Sequence, residues 1–290
     1  MKRLEQPPYQ QPRRAGRTFK RLVTLLVLIL IAFSVYRLTY DNSSRVKALP
    51  SDKTTASLTS LSSMGSKINS IINANPTVDI SVSVIDLTNN QSYNYGLNVP
   101  FVAASTSKLI TAADFLHQVE TGSETLDEQL SGMSASDELR AMIVQSDDNS
   151  WQILNDELTD QGLADYASQI GINDFNLDDN TLTSSDIALL LQKLYEGKLL
   201  NANDTKLLLS YMKAANYRDY IIPAVPSDVK VYHKAGLLDD RIHDAAIIDN
   251  GLHPYVLVIF TNGHGTYDDT KRAQTLQNIT KVTVAHFIGQ

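Results

Sequence analysis

Apolar residues fall into three regimes along this chain of 290 residues. The first is a continuous run. Leu22 to Tyr36 is broken only by Thr24 and Ser34, and the apolar character persists to Tyr40 with Arg37 as its sole charge. As a helix, residues 22–40 would be roughly 28 Å long, close to the hydrocarbon thickness of a bilayer. The second regime is helical spacing. Leu58, Leu61, Met64, Ile68, Ile71 and Ile72 predict a helix that Asn75-Pro76 stops. Similar spacing predicts helices over 108–120, 138–143, 150–158, 163–170, 185–195, 204–212 and 268–287, with Thr183-Ser184-Ser185-Asp186 as a helix start. The third is alternation. Val78, Ile80, Val82 and Val84 predict a strand, and the turn Thr88-Asn-Asn-Gln91 leads to a second short strand through Tyr93 and Tyr95. Strand signals return at 230–234, 245–248 and 255–261, with Asp249-Asn-Gly-Leu252 as a hairpin turn between the last two.

This order predicts an α+β fold. One antiparallel sheet is assembled from two distant parts of the chain, flanked by terminal helices, with an all-helical block inserted between the parts and a site expected in the seam. The expected organisation is a basic tail (1–21), a membrane-spanning helix (22–40), a polar tether rich in Ser, Thr, Asp and Lys (41–66), and a body (67–290). Within the body, 67–104 and 221–290 form the sheet lobe and 105–220 the helical lobe.

Charge sharpens this division. The net charge is −7, yet residues 1–40 carry eight Lys or Arg against Glu5 alone, which leaves −14 on the remainder. Basic residues before the apolar run and tyrosines after it place the N-terminus in the cytoplasm and the body outside, anchored by one helix. A cleaved signal peptide ending near Ala32-Phe33-Ser34 is the competing reading. An acidic body is a poor nucleic-acid binder. The chain has no cysteine, which excludes disulfides, thiol nucleophiles and thiolate metal sites. His233, His243, His253 and His264 lack metal-ligand spacing, so neither a metal nor a cofactor is expected.

The candidate chemistry begins at Phe101-Val-Ala-Ala-Ser-Thr-Ser-Lys108. Positions i and i+3 share a helix face, so the Lys108 amine can reach the Ser105 hydroxyl. S-x-x-K alone is weak evidence, because it also occurs at Ser210 to Lys213 and at Ser227 to Lys230. The first instance is distinguished by Ser146-Asp-Asp148 and Lys234-Ala-Gly236, which follow it in order. Together these elements resemble the S-x-x-K, S-D-N and K-T-G motifs of class A β-lactamases and penicillin-recognising serine hydrolases. Met142 to Ser146, Thr183 to Leu190 with Leu194 and Gly197, and Ile222-Pro223 leading into Val231 extend the likeness over roughly residues 58–290.

The resemblance implies an acyl-enzyme formed at Ser105, with Lys108 as proton acceptor and Ser146 as donor to the leaving nitrogen. It also implies that Lys234 binds a substrate carboxylate and keeps Lys108 neutral by repulsion. The backbone N–H groups of Ser105 and Leu237 would form the oxyanion hole, and Gly236 would let substrate approach the strand. β-Lactams or cell-wall peptides ending in D-Ala-D-Ala are the implied substrates.

Three departures from the family pattern bear on function. Asp148 stands where the family has an amide donor, with Asn149 as the alternative occupant if one residue is inserted. Ala235 replaces a hydroxyl-bearing residue that anchors the substrate carboxylate. No Glu lies between Gly171 and Thr183 to activate a deacylating water. Asp174, Asp178 and Asp179 read as loop and cap residues, so a long-lived acyl-enzyme is expected. True β-lactam hydrolysis, or a binding domain that keeps the fold without efficient chemistry, are the competing readings. Trp151 is expected in the core, and Asp239-Asp240-Arg241 in a solvated hairpin.

Overall fold

A computed structural model describes residues 51–289, with side chains from residue 62 onward. The expected membrane span lies outside the described residues; among those described, no helix is long and apolar enough to cross a membrane. A compact body begins at Leu58. Helix α1, Ser51–Asn73, starts inside the stretch read above as a tether. No Gly or Pro interrupts residues 51–64, so a polar composition does not prevent the helix there.

The central sheet has five antiparallel strands in the order β2-β1-β9-β8-β7. Strands β1 (Asp79–Asp86) and β2 (Gln91–Gly96) come from the N-terminal part. Strands β7 (Lys230–Leu238), β8 (Arg241–Asp249) and β9 (Tyr255–Asn262) come from the C-terminal part. The two parts join through β1 and β9, paired from Asp79↔Asn262 to Asp86↔Tyr255. The predicted topology therefore holds. Strands β7 and β8 are longer than their hydrophobic runs, because the tight turn at Asp239-Asp240 lets polar residues stay in the ladder. Two short pairs carry too few residues to show a period: β3 (Phe101–Val102) with β6 (Thr181–Leu182), and β4 (Gln129–Leu130) with β5 (Met133–Ser134).

Alternation along each strand divides the core into two layers. In β9, Tyr255, Leu257 and Ile259 face α1 and the C-terminal helix α8 (Asp269–Phe287), together with Met64, Ile68 and Ile279. Val256, Val258 and Phe260 face the helical lobe, with Phe115, Leu139 and Leu190. That lobe holds α2 (Lys108–Thr121), α3 (Ala135–Arg140), α4 (Asp148–Leu158), α5 (Asp160–Gln169), α6 (Ser184–Tyr195) and α7 (Ala202–Ala214). A capping box at Thr183 and Asp186 starts α6 as the sequence predicted.

Buried hydroxyls hold α6 to the sheet. Ser184 Oγ lies 2.7 Å from both Ser81 Oγ and Ser83 Oγ of β1. Ser83 donates its proton to Asn94 Oδ1, so Ser184 donates to Ser83 and accepts from Ser81. Removing Ser184 leaves Ser81 without an acceptor and Ser83 without a donor. Ser184→Ala is expected to lower the unfolding free energy by about 1–3 kcal/mol, measured by urea denaturation; a loss below a few tenths would contradict this chain of bonds.

Candidate active site

Three segments from different parts of the chain meet beside the seam. The first is the turn before α2. Ala104 has φ 50°, in the left-handed region, and opens a single 3₁₀ turn, Ala104–Thr106. Thr106 and Ser107 brace this turn by donating their hydroxyls to Ala103 O (2.7 Å) and Ala104 O (3.0 Å). Ser105 is therefore fixed at the start of the most buried helix of the lobe and stays half-buried. Lys108, one turn on, is buried completely.

The second segment is the turn after α3. The chain widens into a π-helical stretch, Ala141–Gln145, and reverses at Ser146, whose φ is 63°. Asp147 caps α4 by accepting from Ser150 N at 2.8 Å. The third is the edge strand β7, which carries Lys234, Ala235, Gly236 and Leu237. The lysines hold Ser146 from two sides. Lys108 Nζ donates to Ser146 O at 2.7 Å, and Lys234 Nζ lies 2.7 Å from Ser146 Oγ and 3.0 Å from Ala235 O.

Asp148, rather than Asn149, faces the site: its Oδ1 lies 2.5 Å from Lys108 Nζ. Asn149 instead lines a surface cavity with Asp137 and Arg140. The Asp148 side chain is 85% exposed and that of Lys108 0%, so a buried cation is paired with a carboxylate that remains open to solvent. Trp151 lies under the same ammonium, 5.5 Å from Nζ to the ring centroid, and donates its indole N–H to Thr111 Oγ1 at 3.0 Å. It is part of the site's wall as well as of the packing. Sequence reasoning missed this because Trp151 and Lys108 are far apart in the chain.

Burial lowers the Lys108 pKa, while its hydrogen bond to Asp148 and the charges of Asp148 and Asp147 oppose the shift. Among the described residues, no carboxylate is hydrogen-bonded to Lys234. Burial, and then the charge of Lys108, bring it down to about 7, with Asp244 and Asp148 opposing. Asp244 is occupied elsewhere, by His233 Nδ1 at 3.0 Å and Ile221 N at 3.1 Å. His233 thus serves the layer behind Lys234. His243 accepts from Thr261 N through Nδ1 and contacts Val102 O through Nε2, and burial lowers its pKa to about 4.

Gly236 is placed differently from the sequence expectation. A Cβ there would lie 2.9 Å from Ala103 O and 3.1 Å from Thr106 N. What approaches the strand this closely is the Ser105 turn itself. Ala235 is buried, while Leu237 is at the exposed end of the strand. The other two S-x-x-K pairs, Ser210 with Lys213 and Ser227 with Lys230, are exposed.

The loop between α5 and α6 contributes a residue that the sequence did not single out. Asn180 Nδ2 donates to Ala104 O at 3.1 Å, and its backbone carbonyl accepts from Ala103 N at 2.7 Å. Its Oδ1 is buried without a hydrogen-bond partner among the described residues. Asp174, Asp178 and Asp179 are exposed loop residues, with Asp179 N donating to Asn176 Oδ1 at 3.1 Å. Asp239-Asp240-Arg241 is a hairpin turn in which Arg241 pairs with its own neighbours at 3.7 and 3.4 Å.

Comparison with known folds agrees with this arrangement. PBP-A superposes with a TM-score of 0.74 at 21% identity, covering 79% of this chain and 97% of that one. An ancestral class A β-lactamase gives 0.72 at 19% identity over 77% of this chain and 100% of that one. A β-lactamase from Xanthomonas campestris gives 0.71 at 21% identity over 78% and 97%. Identities this low establish the fold alone. Comparison with curated protein sequences finds no match. A family model described as "Beta-lactamase enzyme family" matches residues 63–287. Most of the chain is spanned by that match, and the protein belongs to the β-lactamase enzyme family.

Proposed function

We propose that the protein is a serine acyl hydrolase or transferase that forms an acyl-enzyme through Ser105 and releases it slowly. The observation that carries this reading is the double hold on Ser146: one buried lysine on its carbonyl and a second on its hydroxyl, beside the turn that presents Ser105. Such a cluster supplies a hydroxyl nucleophile, a proton path and fixed positive charge in one place. Backbone N–H groups of Ser105 and Leu237 supply the oxyanion contacts. Ala235 provides no hydroxyl to a substrate carboxylate, and Asp148 engages Lys108 where an amide would donate to substrate.

β-Lactams and cell-wall peptides ending in D-Ala-D-Ala are the substrates of this reading. A PBP-A variant of similar fold has been captured as an acyl-enzyme complex with penicillin G, at 20% identity and a TM-score of 0.74. Slow release follows from the loop between α5 and α6, whose carboxylates are short and turned to solvent. We further place the protein in the cell membrane. The apolar run 22–40 is its anchor, 1–21 stays in the cytoplasm, and 67–290 works outside.

Three outcomes are expected. Intact-mass measurement of the full-length protein with penicillin G gives a one-to-one adduct that persists for many minutes and is absent in Ser105→Ala. No adduct on the wild type would refute the reading, and loss within seconds with continued β-lactam consumption would make the protein a β-lactamase. Gly236→Ala forces the strand away from Ala103 O and slows acylation by about tenfold or more, since small misplacements of reacting groups cost that much; an unchanged rate of adduct formation would dismiss the packing role. In fractionated cells the protein stays with membranes after alkaline washing, and release by that wash would discard the anchor.

A further inference from the structure

The surroundings of the two lysines are unequal, and the inequality bears on which one moves a proton. Lys108 faces three groups that favour an ammonium: Asp148 Oδ1 at 2.5 Å, Ser146 O at 2.7 Å and the face of Trp151 at 5.5 Å. Asp147 adds a further negative charge from the same turn. Lys234 is buried just as deeply, but its hydrogen-bond partners are neutral: the Ser146 hydroxyl and its neighbour's carbonyl. The charged groups around it are Lys108 from α2, Asp148 from α4 and Asp244 from β8, the last engaged by His233 and Ile221 N. An uncharged amine fits these contacts well: Nζ–H donates to Ala235 O, and the lone pair accepts from the Ser146 hydroxyl.

We propose that the lysines exchange the parts expected from the family resemblance: Lys108 is a permanent ammonium that positions the Ser146 turn, and Lys234, through Ser146 Oγ, receives the proton Ser105 gives up. This inference rests on the acyl-enzyme reading above. Ser105 Oγ bonds to the acyl carbon while its proton passes to Ser146 Oγ. The Ser146 proton passes to the lone pair of Lys234 Nζ, which becomes an ammonium. When the tetrahedral adduct collapses, the carbon–nitrogen bond breaks. The departing nitrogen takes a proton from Ser146, which Lys234 restores. An amide and a hydroxyl become an ester and an amine, with no other reactant.

The two assignments of Lys234 give opposite pH dependence. As a proton acceptor it must be neutral in the free protein, so the second-order rate of acylation rises about tenfold per pH unit below its midpoint and levels off above. As an ammonium anchor for a substrate carboxylate it must be charged, so the rate falls through the same range. The test pairs this profile, taken with a fluorescent penicillin on the full-length protein, with NMR of ε-carbon-labelled lysines in Ser105→Ala. Lys108→Arg and Lys234→Arg serve to assign the resonances.

The expected result is a rising limb centred near pH 7, a Lys234 resonance that titrates with it, and a Lys108 resonance that keeps its proton well beyond. Asp148→Asn should bring the Lys108 midpoint down toward neutrality. A Lys108 resonance that deprotonates before Lys234, or an acylation rate that falls across pH 7, overturns the exchange of parts. A wild-type protein that takes no label at any pH overturns the hydrolase reading itself, a result the NMR titration cannot imitate.

Discussion

Two ammonium groups buried together repel, and of the carboxylates around them, Asp147, Asp148 and Asp244, only Asp148 is hydrogen-bonded to either lysine among the described residues. Asp148 resolves the conflict unequally by pairing with Lys108 and leaving Lys234 among neutral partners. A buried charge with a paired neighbour stays charged, whereas a buried amine without one gives up its proton. The rest of the seam follows from this asymmetry. Ser146 turns its carbonyl to Lys108 and its hydroxyl to Lys234, with a left-handed backbone at that residue and a widened helix before it. Strand β7 has to bring Lys234 to the edge of the sheet at the level of α2, which requires Gly236 to pass under the Ser105 turn without a side chain.

Much of this was legible in the sequence. The order of alternating and helical runs foretold a sheet built from both ends of the chain, because hydrophobic period is a local signal that tertiary packing rarely reverses. Ser105, Lys108, Ser146 and Lys234 could be named from motif order, and Asp179 could be read as a loop residue from its Asn-rich surroundings. The unreadable parts were relations between distant side chains. Nothing in the local sequence of Asp148 says that it reaches Lys108, or that Trp151 lies beneath that ammonium. Gly236 reads as room for a ligand until a second piece of backbone is seen to occupy the space. Asn180 sits in a stretch with several polar neighbours, and its bond to Ala104 O is set by the β3 and β6 pairing, two residues on each strand and too short to leave a period.

Membership of the β-lactamase enzyme family and the departures from its motifs describe one economy of charge. A neutral amide at position 148 would leave the two lysines with only the more distant charges of Asp147 and Asp244 and no hydrogen-bonded carboxylate. The carboxylate supplies that contact at Lys108. Ala235, next to Lys234 on the strand, lies in the apolar layer that packs against α1 and α8. Much of the polar capacity at the seam is therefore taken up in holding its own lysines.

The backbone at Ala104 has a wider consequence. A left-handed alanine costs about 1–2 kcal/mol relative to an ordinary conformation, a penalty that glycine would avoid. Glycine would also give the turn many more shapes in which Ser105 points elsewhere. The methyl group of Ala104 thus trades a little thermodynamic robustness for a narrower distribution of hydroxyl orientations.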